Sequence, residues 1–221
     1  MIIYHGSVNI LEKPQYGKGK DYNDYGKGFY CTESLELAKE WACTEKSSGY
    51  ANKYELNLEN LKVLDLRNKK YNVLHWITLL IKNRRFAITN EISKEGKEYL
   101  INNFLIDISE YDIIIGYRAD DAYFTFAQNF LNNTISVQKL KEALLLGNLG
   151  EQIVLKSEQA FSRLKFLGYE IADQDIYYSL RKIRDDVARK KYYENRRGLK
   201  EDDIYLVDII MKGIKQNDSR L

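Results

Sequence analysis

The sequence predicts an α+β fold. Its strand-like runs fall into two groups separated by stretches of helical periodicity, whereas an α/β chain would alternate strand and helix. With 44% apolar and 30% charged residues among 221, the chain reads most simply as a single domain over 1–221, carrying a helical insertion at 70–108 and a helical C-terminal segment at 178–221. Its single proline argues against disordered linkers and low-complexity tracts, which are proline-rich.

Ile2-Ile3-Tyr4-His5 is a short strand stopped by Gly6-Ser7. Residues 12–28 hold Gly17, Gly19, Gly26 and Gly28 among Lys, Tyr, Asn and Asp, the composition of an irregular loop. Gly28-Phe29-Tyr30-Cys31-Thr32 forms the next strand, after which Thr32 or Ser34 supplies an N-cap for a helix over 34–45 with Leu35, Ala38, Trp41 and Ala42 at helical spacing. Residues 51–58 alternate weakly, and Lys62 to Leu66 continues as a strand. Val73, Leu74, Ile77, Leu80 and Ile81 make a helical stripe, and 94–107 repeats the pattern with Tyr99, Leu100, Phe104 and Leu105. Asp112 to Gly116 is a fully apolar run apart from its first residue, hence a central strand. A helix through Phe130 and another from Val137 to Leu145 follow, then strands at Glu151–Leu155 and Tyr169–Ala172. From Tyr178 the chain turns helical and basic, ending in an amphipathic helix marked by Ile204, Val207, Ile210, Met211 and Ile214.

Composition excludes several classes. A net charge of +2, from 34 basic and 32 acidic residues, gives no global reason for nucleic-acid binding. Cys31 and Cys43 are too few for a disulfide framework or a zinc site; reduced buried thiols and a cytoplasmic location are expected, and no metal is called for. The most apolar stretch, Val73 to Ile81, is far shorter than the ~20 residues that cross a bilayer, and no signal peptide is visible.

Three side chains at strand ends carry the candidate chemistry. His5 can offer a ring nitrogen to a ligand hydroxyl beside Gly6, whose missing Cβ lets backbone approach a flat ligand; the plainer reading is a satisfied histidine at a strand end. The other histidine, His75, lies on an apolar helical stripe and reads as structural. Tyr30 follows Gly26-x-Gly28, which lacks the spacing of a dinucleotide fingerprint; most of the eighteen tyrosines must be packing or surface residues. Glu151 opens an apolar strand, where an acid needs a partner or a task. Such a carboxylate can favour positive charge growing at an anomeric carbon, as in glycoside hydrolysis. Arg118-Ala119-Asp120-Asp121 follows the central strand, and reads either as a ligand or acceptor loop or as helix capping with a local ion pair. Residues 181–200 hold nine Lys/Arg against three Asp/Glu with Tyr192-Tyr193 among them, which suits phosphates and bases or a solvated helix face.

Tyr4-His5-Gly6-Ser7, Gly26-Lys27-Gly28-Phe29-Tyr30 and Gly150-Glu151-Gln152-Ile153-Val154 together resemble, in order, the motifs of the His-Tyr-Glu ADP-ribosyltransferases of the diphtheria-toxin and poly(ADP-ribose) polymerase type. The chain also looks like a bacterial family of uncharacterised function, DUF3990, through Tyr4 to Ser7, Asp24 to Tyr30 and Leu149 to Gln152. The resemblance implies a split, mostly antiparallel sheet with NAD in the cleft between its halves. It implies that His5, Gly6 and Ser7 hold the donor, Tyr30 beside Gly28 stacks on nicotinamide, and Glu151 is the catalytic carboxylate. Trp41 falls where the family has a second stacking aromatic, though it is equally a core position by helix periodicity. Gln152 stands in place of an aromatic, and Leu149 leaves the arginine-specific Glu-x-Glu pattern absent. A chain of this size is expected to transfer a single ADP-ribose unit to a macromolecule, protein or nucleic acid, or to hydrolyse NAD. A toxin or defence role with an antitoxin partner follows only by analogy. Two other functions compete: a nucleotide- or partner-binding module without chemistry, and a nucleic-acid binder acting through 181–200.

Overall fold

The computed structural model describes residues 1–119, 121–145, 150–195 and 202–221. The chain runs β1 (Ile2–Ser7), β2 (Phe29–Cys31), α1 (Leu35–Ala42), β3 (Gly49–Leu56), β4 (Val63–Asp65), α2 (Val73–Asn83), α3 (Glu91–Phe104), β5 (Ile113–Tyr117), α4 (Asp121–Leu131), α5 (Val137–Leu145), β6 (Glu151–Leu155), α6 (Glu158–Ser162), β7 (Leu164–Ala172), α7 (Gln174–Asn195) and α8 (Leu206–Met211). The described residues are thus α+β, with two mostly antiparallel sheets, ordered β1-β3-β7 and β2-β6-β5-β4. The one parallel pair is β4 with β5, joined through α2 and α3. None of the described helices is long and apolar enough to cross a membrane.

The apolar runs Ile113–Ile115 of β5 and Ile153–Leu155 of β6 have a direct cause. Successive strand residues face opposite sides, and here both sides are buried. Ile114 and Val154 enter a large core with helices α2 to α5, α7 and α8. Ile113, Ile115, Ile153 and Leu155 enter a second core, where they meet Ile3, Tyr54 and Leu56 of the other sheet.

The two sheets touch along β1 and β2. Tyr4 and Thr32 exchange backbone hydrogen bonds of 2.7 and 2.9 Å. At the next rung the backbones no longer pair; instead the His5 ring reaches the Tyr30 carbonyl. A cleft opens there. Helix α1 lies directly on β1: a Cβ on Gly6 would stand 2.1 Å from the Ala38 carbonyl oxygen. Gly6 is therefore required by helix packing, whatever else it does. Ser34 caps α1 by accepting from the Leu37 N–H.

Several expected boundaries moved. β3 begins at Gly49 and ends at Leu56, not 51–58, and β7 begins at Leu164 rather than at Tyr169. Lys165 and Gly168 disguise β7, and Gly168 sits where its register with β3 shifts. α6, at five residues, is too short to show a period. The C-terminal helical segment begins at Gln174, not Tyr178.

Candidate functional site

Loop residues 8–28 cover the open cleft. Asn52, fully buried on β3, secures the loop's start: its side-chain amide donates to the His5 and Asn9 carbonyls and its oxygen accepts the Leu11 N–H. Lys156, beyond β6, secures its end, donating to the Tyr25 and Lys27 carbonyls at 2.7 and 2.6 Å. Between these anchors lies a cavity of about 970 Å³, lined by His5, Gly6, Ser7, Gly28, Tyr30, Trp41 and Arg118 among others. The residues of the first two motifs, far apart in sequence, therefore share one cavity.

His5 Nδ1 lies 2.7 Å from the Tyr30 carbonyl oxygen. A carbonyl only accepts, so Nδ1 carries the proton and Nε2 of the neutral ring is an acceptor. Burial holds the His5 pKa below its ordinary value, opposed by that hydrogen bond. His5 would thus accept from a ligand hydroxyl through Nε2 rather than donate to it. Its ring stacks on Phe29, with centroids 4.2 Å apart.

Tyr30 spends its hydroxyl inside the protein, donating to the Gly26 carbonyl at 2.6 Å and accepting the Tyr25 N–H at 3.0 Å. Burial pushes its pKa up. Its ring packs against the larger core while still lining the cavity. Trp41 is half-buried on the α1 face against β1, outside the hydrophobic cores, and lines the cavity with the Arg118 guanidinium 4.5 Å from its ring centroid. Its indole N–H is buried and has no hydrogen-bond partner among the described residues.

Glu151 is placed differently. Alternation along β6 sets it on the face of Ile153, opposite Gln152 and Tyr30, and among the described residues it is not part of the cavity lining. Its carboxylate meets Arg67 at 2.5 Å, and Arg67 in turn grips Asp65 on β4 at 2.6 Å. The Arg67 guanidinium holds the Asp65 carboxyl below the usual carboxylate range. Gly150, the residue before Glu151, does lie beside α1. Gly150 has φ +71°, and a Cβ there would stand 2.4 Å from Leu37, one helical turn from Trp41.

Asp24 is the site residue that sequence reasoning passed over. It is buried in the cavity wall, where its carboxylate accepts from the Ala119 N–H and Gln152 Nε2, both at 2.9 Å, and from Arg84 at 3.0 Å. Burial pushes its carboxyl up, while those three donors pull it down. One side chain thus ties together the loop, the end of α2, β6 and the residue after Arg118. In sequence it stood only as the first residue of the Asp24 to Tyr30 stretch, with no role attached. Of the segment after β5, Arg118 lines the cavity, Asp120 lies outside the described residues, and so does the side chain of Asp121. His75 is structural: its ring closes the α2 cap by accepting the Asn72 N–H. In the basic stretch 181–200, Arg181 reaches the cavity and 196–200 lie outside the described residues.

No curated protein and no solved structure gave a match to the chain. The model of the family described as "Protein of unknown function (DUF3990)" matches residues 1–166, most of the chain's length, and the protein belongs to that family.

Proposed function

We propose that the protein is an NAD-dependent mono-ADP-ribosyltransferase, which breaks the nicotinamide–ribose bond and passes ADP-ribose to a macromolecule. One observation carries this reading. His5, Gly6, Ser7, Gly28, Tyr30 and Trp41 meet at one cavity on the split between two sheets, and its volume of about 970 Å³ suits a dinucleotide.

In this reading His5 accepts a ribose hydroxyl through Nε2, with the ring held by the Tyr30 carbonyl. Tyr30 and Trp41 flank the flat nicotinamide. Glu151 opposes the positive charge that develops at the anomeric carbon, and exchanges its contact with Arg67 for the donor's hydroxyls. As the glycosidic bond breaks, its electron pair goes to the pyridinium nitrogen and nicotinamide leaves neutral. The acceptor's nitrogen or oxygen bonds to the anomeric carbon and releases its proton to solvent.

A test keeps the size of Glu151 and removes its charge. Glu151→Gln is expected to cut nicotinamide release by about 100-fold or more while leaving the melting temperature within a few degrees. Release at the wild-type rate would end the assignment. The position of Glu151, paired to Arg67 and outside the lining, favours a second reading: a nucleotide-binding module without chemistry. Saturable NAD binding by calorimetry, with no nicotinamide released in a cell lysate, would select it.

A further inference from the structure

The cavity carries more positive charge than its proposed donor needs. Six cationic side chains line it, Lys13, Lys18, Lys20, Arg84, Arg118 and Arg181, against the single carboxylate of Asp24 among the described residues. Arg84 and Arg118 belong to the inner wall, one paired with Asp24 and the other stacked on Trp41. Two phosphates and a pyridinium are met by that pair alone. Lys13, Lys18 and Lys20, exposed on the covering loop, and Arg181, on α7, remain, and none of them is in an ion pair among the described residues.

These four line one cavity from two separate elements, the covering loop and α7. Beside Arg181, α7 exposes Lys182, and further along it Lys190 and Lys191 are exposed as well. On the covering loop, Tyr16 and Tyr22 are interspersed with the lysines and are 51% and 56% exposed. Cations spaced by exposed aromatic rings fit a polymer that offers phosphates and flat bases in alternation; an acidic peptide would use the cations and leave the rings idle. A duplex keeps its bases stacked and out of reach of a recessed cleft, whereas a single strand can lower one into it.

We infer that the mouth of this cleft binds single-stranded nucleic acid, which makes that polymer the acceptor. The acceptor role rests on the transferase reading; the binding does not. In the transfer, a nucleophilic nitrogen or oxygen of the strand bonds to the anomeric carbon as the bond to nicotinamide breaks. Nicotinamide takes that electron pair, and the nucleophile's proton goes to solvent.

The test is fluorescence anisotropy with labelled DNA and RNA single strands of mixed sequence, with nicotinamide release from NAD read separately in the same samples. Four phosphate contacts predict affinity falling about 50-fold between about 50 and 200 mM salt. Lys18→Glu/Lys20→Glu and Arg181→Glu should each weaken binding about 10-fold or more and flatten the salt dependence. An unchanged melting temperature verifies that each variant folds. Binding indifferent to salt and to both variants overturns the inference, as does tighter binding of polyglutamate than of either strand. Nicotinamide release without strand binding overturns it and leaves the donor reading standing. Strand binding without release supports the nucleic-acid site and overturns the strand's role as acceptor.

Discussion

His5 links the chemistry of the cleft to its stability. It is neutral when folded, because burial lowers its pKa from 6.5, while the unfolded chain takes a proton near that value. The stability it contributes is therefore complete above about pH 6.5 and is lost as pH falls below it toward the folded value. His75 is shifted in the same direction by burial, so both histidines add to this slope. His5→Gln should remove part of the fall in melting temperature between about pH 7 and pH 5, with His75 supplying the rest. A slope identical to wild type would mean that His5 titrates freely. Donor affinity should follow the same protonation, since a protonated Nε2 cannot accept; His5→Ala is expected to raise the Kd for NAD about 10-fold at neutral pH, measured by calorimetry. The sequence marked His5 as a residue able to meet a ligand hydroxyl, and the structure sets it in the cavity lining. Only the position of the Tyr30 carbonyl says which ring nitrogen holds the proton.

At the scale of elements, the contact of α1 with β1 and the strand β6 are where local reading succeeded and where it stopped. Gly6 was read as room for a ligand, yet its nearest neighbours are the Ala38 carbonyl and the Ala42 amide. Gly6→Ala must push α1 off the sheet, and we expect it to cost about 1–3 kcal/mol by denaturant unfolding. An undisturbed midpoint would show that α1 shifts without penalty. β6 was delimited correctly from its apolar run, and alternation within it is a local property. What a run buried on both faces cannot say is which neighbour lies on each. That is why Glu151 came out beside Arg67 and Gln152 beside Asp24. Arg67 lies 84 positions from Glu151 in the chain, and no period or motif connects them.

At the scale of the whole molecule, the family match stops at residue 166 while the larger core continues past it. Ala188 and Tyr192 of α7, with Ile204, Leu206, Ile209 and Ile214, are buried against helices that precede β6. Leu206 stands so close to Gly96 of α3 that a Cβ there would lie 2.3 Å from it. A chain ending at residue 173 is thus expected to expose that core and to aggregate or melt without cooperativity, read by circular dichroism and light scattering. A soluble, cooperatively folding fragment would show that α7 and α8 are accessory. By itself the sequence determined the α+β class, most of the strands and helices, and the two motifs that meet at the cleft, because period, capping and glycine placement are written in neighbouring residues. Tertiary structure alone decided that Asp24 ties four segments together, that cations of the loop and of α7 line one cavity, and that Glu151 answers first to an arginine. Those are relations between side chains distant along the chain, and they exist only once the two sheets are in place.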